Sequence, residues 1–413
     1  MSTGVPPLEV ELSAGASLDV CPDVCNDICI VGGGMVGAAL AIAFARQGKQ
    51  VVLREKQTPT FKPGVLGMGI RTVALSPASE AWLTTLGVRI SGAPIHRMHI
   101  FEALGTAALD FDADEAGTDH LGNIVENDRL VEELWRQFSQ YPNLKVQLDA
   151  SLERIEHTGD AVILHGAGAA VRSRLCIAAD GAASTVRSLV GSEPERLDTG
   201  QWALATVVRT EKPHEGCAYQ RFLEDGPVAL LPGMEADLVA VVWSQTPEQA
   251  RSRQALESGA FCAELSRATA HVLGTVRAVD QRLTFPLVQQ VAAPLVPAPR
   301  IVLTGDAARV VHPLAGMGVN LGFEDAALLA DLCRDSADPG EEQGLQSYAR
   351  KRLWRSRALV TLMSTLQGVY GWRQPGPVWL RNAGVRFVNR QAFVRRQILR
   401  EALGLGPVAL ASH

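Results

Sequence analysis

Three short turns carry the residues whose types and spacing suggest chemistry. The first is Gly32-Gly33-Gly34-Met35-Val36-Gly37, between the apolar, β-branched run Asp27–Val31 and an Ala-rich stretch, Ala38–Arg46, closed by Gly48. A second apolar run, Val51-Val52-Leu53, ends at Glu55. Strand, tight turn, helix and strand within about 30 residues form a dinucleotide-binding unit. Gly32, Gly34 and Gly37 permit the sharp turn, the close approach of a pyrophosphate and helix-on-strand packing. The helix N-terminus offers free amides and the positive end of its dipole. Glu55 stands where an acid bonds ribose hydroxyls, and its charge repels a 2′-phosphate, which points to FAD or NAD rather than NADP.

The second turn is Asp180-Gly181, after Cys176–Ala179 and before Ser184-Thr185-Val186-Arg187. The third is Gly305-Asp306, after Ile301-Val302-Leu303. It runs on through Arg309 to His312-Pro313-Leu314-Ala315-Gly316-Met317-Gly318-Val319-Asn320 and a helix over 321–332. Each is a strand whose carboxyl end meets a turn and a helix, the place where α/β sheets put ligands. Asp306 can accept hydroxyl hydrogens or cap a helix. His312 is a candidate general base, or a loop histidine bonded to backbone. Asp180 and Arg187 suit an ion pair or a cap as well as a ligand contact.

Around these turns, residues 122–142 are expected to be helical, with Leu130, Leu134 and Phe138 four apart. Alternating runs at 144–178 predict strands or a hairpin. Trp202–Val208, Ala218–Phe222, Val228–Leu231 and Leu238–Trp243 predict an antiparallel sheet, punctuated by Asp225-Gly226-Pro227 and Pro232-Gly233. Residues 247–276 and parts of 348–370 are expected to be helical. Gly166-Ala167-Gly168 lacks the third glycine and the acid of a second nucleotide unit.

The chain has 413 residues and a net charge of −5, which argues against a nucleic-acid coat. No run of about 18 apolar residues suggests a membrane span. Seven scattered cysteines (Cys21, Cys25, Cys29, Cys176, Cys217, Cys262, Cys333) suit free thiols in a reducing compartment. Cys21 and Cys25 have no second pair at ligand spacing, so no metal is expected. Residues 1–25 begin with acids and no basic stretch, and are expected to be a loose tail rather than a signal peptide. Residues 345–400 hold twelve Lys or Arg and no acid, leaving −17 on the other 357 residues. Tyr348, Trp354, Tyr370 and Trp372 interleave that basic stretch, which suits a peripheral contact with anionic lipid or a bridge to acidic surfaces.

Three such turns in this order resemble the class A flavoprotein monooxygenases of the para-hydroxybenzoate hydroxylase fold. Arg71-Thr72-Val73-Ala74-Leu75-Ser76 with Leu86-Gly87 is similar to the ubiquinone-biosynthesis hydroxylases within them. So are Val125-Glu126-Asn127, Tyr219-Gln220-Arg221-Phe222 with Gly226–Pro232, His312–Gly316 with Asn320-Leu321-Gly322, and Leu380-Arg381-Asn382-Ala383-Gly384. Two positions depart from that family's pattern: Arg309 stands where His is usual, and Met317 where Gln is usual.

The resemblance implies an α/β fold. A Rossmann-like FAD-binding domain (26–195 and 285–340) is interleaved with an antiparallel-sheet substrate domain (196–284) and followed by a basic C-terminal helical region (341–413). It implies hydroxylation of a polyprenylated phenol on the way to ubiquinone through a flavin hydroperoxide, with NAD(P)H as a transient electron donor and O2 as co-substrate. It places Gly32, Gly34, Gly37, Glu55, Arg71, Asn127, Asp180, Arg187, Gly305, Asp306, Pro313, Gly316, Gly318 and Asn320 around FAD, with Asp306 on the ribityl chain and Asp180 and Arg187 near the pyrophosphate. Pro313 and Gly316, with His312, would line the reacting face. Phe222, Leu230 and Leu231 would roof the flavin as the substrate pocket. The expected location is cytoplasmic, with contact at the inner face of the membrane. The departures at Arg309 and Met317 motivate a second reading, a catalytically weak flavin-fold subunit working with other quinone-biosynthesis proteins. A same-fold hydroxylase of another aromatic is a third.

Overall fold

The computed structural model describes residues 24–103, 108–311, 318–355, 396–397, 399–401 and 403–405. At its centre the strand Cys25–Val31 is flanked by Val51–Arg54 and Val171–Ala178, both parallel to it. Leu144–Gln147 extends this sheet on one side, and Ile301–Leu303 runs parallel beside the end of Val171–Ala178. Val162–His165 and Arg154–His157 complete seven strands in antiparallel fashion. The parallel strands read as continuous apolar runs because helices and loops bury both their faces. The Ala-rich helix Met35–Arg46 packs against Asn127–Arg136 and Gly318–Leu332, its small side chains allowing close approach.

A second, nine-stranded sheet is built on the 16-residue strand Glu195–Thr210. Its order from one edge is Arg309–Val310, Leu283–Val291, Glu195–Thr210, Leu238–Gln245, Gly226–Pro232, Cys217–Leu223, Arg97–Glu102 and Ala108–Asp112, with Val276–Val279 also beside Glu195–Thr210. Leu204, Val208, Leu230, Val241 and Trp243 turn to the helix Ser258–Ala268 and its Phe261 and Leu265. The opposite face, with Val207, Ala218, Leu238 and Ala240, packs on Met68 and Ile124. Ile124 belongs to a small sheet of Thr72–Leu75, Gly122–Glu126 and Ala93–Ile95. The antiparallel sheet thus draws strands from 97–112 and 285–291 as well as from 196–284.

Three expected elements differ in extent. Residues 122–126 are a strand paired on both sides, and the helix starts only at Asn127. The stretch 247–276 is two helices, Pro247–Ala255 and Ser258–Ala268, interrupted by extended backbone at Leu256 and Glu257 and ended by left-handed Ala270 and His271. The first predicted sheet strand starts seven residues earlier, at Glu195, because a bulge between Asp198 and Trp202 lets the chain bend and continue pairing. Gly166 and Gly168 lie in the hairpin between Val162–His165 and Val171–Ala178, which is not a phosphate-binding turn. The six cysteines in the described region are free thiols.

The C-terminal part of the described chain is fastened by buried charge. Asp325, fully buried on Gly318–Leu332, accepts from Arg309 Nη2 at 2.7 Å, from Gly305 N at 3.1 Å and from Arg352 Nε. Arg352 lies on the helix 342–355 and also donates to Glu324 at 3.0 Å, while Tyr348 of that helix donates to Leu303 O at 3.0 Å. Removing one partner of such a pair leaves an uncompensated buried charge. Arg352→Met is expected to destabilise the protein by about 3–5 kcal/mol in urea unfolding. A loss under about 1 kcal/mol, the range of exposed pairs, would show that the pair carries little.

Candidate cofactor and substrate site

The hydrogen-bond ladder sets the ends of four parallel strands level. Val31 pairs with Arg54 on one side and Ala178 on the other, and Ala178 pairs with Leu303. The chain therefore leaves the sheet along one edge at Glu55, Gly32, Ala179 and Thr304. Gly32 is left-handed (φ 101°), and a Cβ there would lie 2.4 Å from Ala179 O. A Cβ on Gly37 would lie 1.9 Å from Gly32 O, so only glycine lets the helix seat on the strand. A Cβ on Gly34 would meet nothing within 4 Å, which leaves that backbone open to an approaching group. The helix Met35–Arg46 has no side-chain cap and no acid in its first turn, so its terminal amides face outward unspent. Glu55 braces this turn, accepting from Gly33 N at 2.5 Å and Lys56 N at 2.6 Å. Trp135 Nε1 donates to Gly33 O at 2.8 Å from the other side.

The second and third turns are tied to the first and to each other. Asp180 Oδ2 accepts from Thr185 N at 2.7 Å and Val186 N at 3.2 Å, capping the short helix Thr185–Leu189, while its Oδ1 is buried without a partner. Arg187 makes no ion pair with Asp180. Its buried guanidinium donates to Ala307 O at 2.8 Å and Ala182 O at 2.7 Å, stapling the Asp-Gly turn to the Gly-Asp turn. Val36 lodges between Gly305 and Gly322, where added Cβ atoms would stand 3.3 Å and 2.5 Å from its Cγ2.

Asp306 is reached by solvent on the third turn, and no hydrogen bond to its carboxylate forms among the described residues. Burial by the surrounding protein pushes its carboxyl above the usual carboxylate range; Arg309 opposes this and Asp325 adds to it. Asn127 begins its helix, its N donating to Arg71 O at 3.0 Å, and its Oδ1 is buried with no partner. Arg71 is exposed beside it. Gly318 opens the helix Gly318–Leu332. Asn320 bonds to backbone with both ends of its amide, accepting from Ser76 N at 2.9 Å and donating to Ala74 O at 2.8 Å. It fastens this helix to the strand Thr72–Leu75. Arg309 belongs to the Asp325 charge cluster and is 3% exposed, so the change from His sits in the protein's interior. His312, Pro313, Gly316 and Met317, and most of 345–400, lie outside the described residues.

The pocket side of the antiparallel sheet follows from its register. Leu230 pairs with Val241 and Tyr219 in the helix-covered core, so it faces away from the three turns. This corrects its expected place in the substrate pocket. Leu231 and, by alternation along its strand, Phe222 look the other way, toward the FAD-binding part. The same face carries Ala203, Ala205, Val242 and Ala229, with Leu283 and Phe285 opposite Ala205 and Ala203. Sequence reasoning missed Val242, Leu283 and Phe285, although their period-two spacing marks a face once one member is placed. The polar atoms left open fit FAD: outward amides at Met35–Arg46, an open backbone at Gly34, an unbonded carboxylate at Asp306 and an orphaned Oδ1 at Asn127.

The sequence matches the family described as FAD binding domain over residues 26–363. It is 32% identical to the 3-demethoxyubiquinol 3-hydroxylase of Escherichia coli (strain K12) over 390 residues, 92% of this chain and 99% of that protein. It is 32% identical to ubiquinone hydroxylase UbiL of Rhodospirillum rubrum, over 98% of this chain and 96% of that one. In fold it is similar to the p-nitrophenol 4-monooxygenase PnpA from Pseudomonas putida DLL-E4, with a TM-score of 0.73 at 21% identity, covering 93% and 99% of the two chains. Klebsiella pneumoniae HpxO, solved with FAD and uric acid, matches with a TM-score of 0.72 at 19% identity, covering 92% and 98%. Fold and site together define an FAD-dependent aromatic monooxygenase of class A. Within that class the chain belongs to the family of ubiquinone-biosynthesis hydroxylases.

The glycines separate structure from binding. Gly34→Ala is expected to leave the melting temperature of the FAD-free protein within about 2 °C of wild type while weakening FAD at least tenfold in a fluorescence titration. Gly37→Ala is expected to lower both. Equal loss of stability in the two variants would refute the assignment of Gly34 to ligand approach.

Proposed function

We propose that this protein hydroxylates the aromatic ring of a polyprenylated phenol in ubiquinone biosynthesis. The FAD would lie across the three turns and the ring beneath the apolar part of that sheet face. The observation that carries this reading is the register that brings Glu55, Gly32, Asp180 and Gly305 to one edge, opposite that face. FAD, when bound, supplies the activation of O2 that ring hydroxylation needs. The amides of the first turn would take the pyrophosphate, Glu55 the ribose, and Asp306 the ribityl hydroxyls. Asn127 Oδ1 would accept one further donor from the cofactor. Val242, Phe222 and Leu231 would exclude water and hold the ring by burial.

The accessory-subunit reading loses one of its two motives, because Arg309 is spent inside the Asp325 cluster. With no second dinucleotide unit among the described residues, NAD(P)H or another reductant would bind only transiently. Among the described residues no helix is long and apolar enough to cross a membrane. Access to a lipid substrate is therefore assigned to surface contact, with the basic stretch 345–400 as its source and the cytoplasmic membrane face as its place.

Mass spectrometry of quinone lipids from a strain lacking the gene tests the reading. A polyprenylphenol one or more oxygens short is expected to accumulate, to be cleared by the wild-type gene, and to persist with Asp306→Ala. An unchanged quinone pool after removal of any paralogue would overturn the quinone substrate.

Asp306 also carries a pH signature. A carboxyl whose folded pKa is raised contributes stability below its unfolded value, and that contribution is lost as pH rises through the folded value. At neutral pH its charge therefore costs stability in the FAD-free state. Asp306→Asn is expected to melt at or above wild type at pH 7, with the gap closing as pH falls below about 4. The same variant should bind FAD at least tenfold more weakly. A variant that is less stable than wild type at pH 7 would contradict this.

A further inference from the structure

The strand Leu283–Val291 starts its course at the third turn. Gln290 Nε2 donates to Ala182 O at 2.8 Å and Asp306 O at 3.4 Å, so this end of the strand touches two of the three turns. Going back from it, Leu287, Phe285 and Leu283 share one face by alternation. The register says which face. Phe285 lies opposite Ala203 and Leu283 opposite Ala205, whereas Thr284 lies opposite Leu204 of the helix-covered core. Thr284 Oγ1 donates to Gln254 of the helix Pro247–Ala255, on that other side. The three apolar side chains therefore look toward the FAD-binding part.

The one nearest the turn is buried and the two beyond it are half-exposed. Leu287 is 4% exposed, Phe285 43% and Leu283 38%. These three groups span about 14 Å at about 3.4 Å per residue, from the buried Leu287 outward to solvent, and Gln289, its side-chain Nε2 and Oε1 buried without a partner among the described residues, stands between Leu287 and the turns. Beside it the neighbouring strand presents only Ala203 and Ala205, which leave room above the sheet. A single exposed Leu is unremarked on any surface. Two in line with a buried third, leading away from a site, describe a path.

The occupant follows from what the path lacks. From Leu287 outward the three side chains offer no charge and no hydrogen-bonding group, so what lies along them is apolar; the one polar side chain on this face of the strand, Gln289, stands at the inner end. Adding a strand from another copy of the chain is opposed by Pro286, which has no N–H to give at this edge. Resting on the reading of the substrate as a polyprenylated phenol, we propose that Leu287, Phe285 and Leu283 form the track for its isoprenoid chain, and that Phe285 and Leu283 set the preference for chain length.

The test uses the FAD-loaded full-length protein and a series of phenols identical in the ring but carrying no, short or long prenyl chains. Binding is read from the flavin absorbance. Wild-type affinity is expected to rise with chain length. The double variant Leu283→Ser/Phe285→Ser is expected to lose at least about tenfold for the long-chain phenol. It should lose far less for the tail-less phenol, and Leu283→Met/Phe285→Leu should restore the long-chain preference. Unchanged long-chain affinity in the serine variant, or equal losses with and without the tail, would overturn the track. Weaker self-association with unchanged ligand binding would overturn it too, assigning the face to a second copy. A wild type that gains nothing from a tail would instead overturn the prenylphenol reading on which the track rests.

Discussion

The ladder between Cys25–Val31, Val171–Ala178 and Ile301–Leu303 is the constraint on which the site depends. In a parallel sheet a register fixes where each strand stops relative to its neighbours. Here Val31, Ala178 and Leu303 stop level, so turns that are about 150 and 120 residues apart in sequence emerge side by side. Everything local then serves close approach. Gly32 and Gly37 admit backbone where a side chain would collide, Val36 fills the notch between Gly305 and Gly322, and Arg187 joins the carbonyls of Ala182 and Ala307. A slip of one residue in any of these strands would move a turn off the edge and reverse its side chains.

Beneath the third turn lies a second tie, made of charge. Asp325 receives Gly305 N, Arg309 and Arg352, so the turn, the strand after it and the helix 342–355 meet at one carboxylate. Burying these charges is offset only because each has a partner. Nε and Nη1 of Arg309 are buried without one among the described residues, which marks this as the least satisfied part of the cluster. The coupling makes the position of the Gly-Asp turn sensitive to residues far along the chain.

Much of this was legible in the sequence, for stated reasons. Glycine fingerprints are readable because a backbone that must approach another backbone tolerates no Cβ, and that requirement shows at Gly32 and Gly37. Sheet strands over 202–245 were readable from alternation and turn residues. Less legible was the direction of a side chain. Adjacent Leu230 and Leu231 are alike in composition, and only the pairing with Val241 and Ala240 separates the core from the pocket. Nor does sequence show how a polar group is spent. Asn320 and Arg187 have the chemistry of cofactor ligands, and both also fasten backbone. Arg309 stands out as a departure from the family pattern, but its meaning rests on Asp325, sixteen residues on and buried. The strand at 122–126 was taken into a helix because its pairing partners, at 72–75 and 93–95, are distant in sequence.

The central claim is that aligned strand ends build one FAD site facing a largely apolar sheet. Its most direct test is titration of the purified FAD-free protein with FAD, followed by turnover of a prenylphenol under isotopically labelled O2. The account predicts one FAD per chain and one labelled oxygen per hydroxyl introduced. Absence of saturable FAD binding, or a hydroxyl oxygen drawn from water, would contradict it.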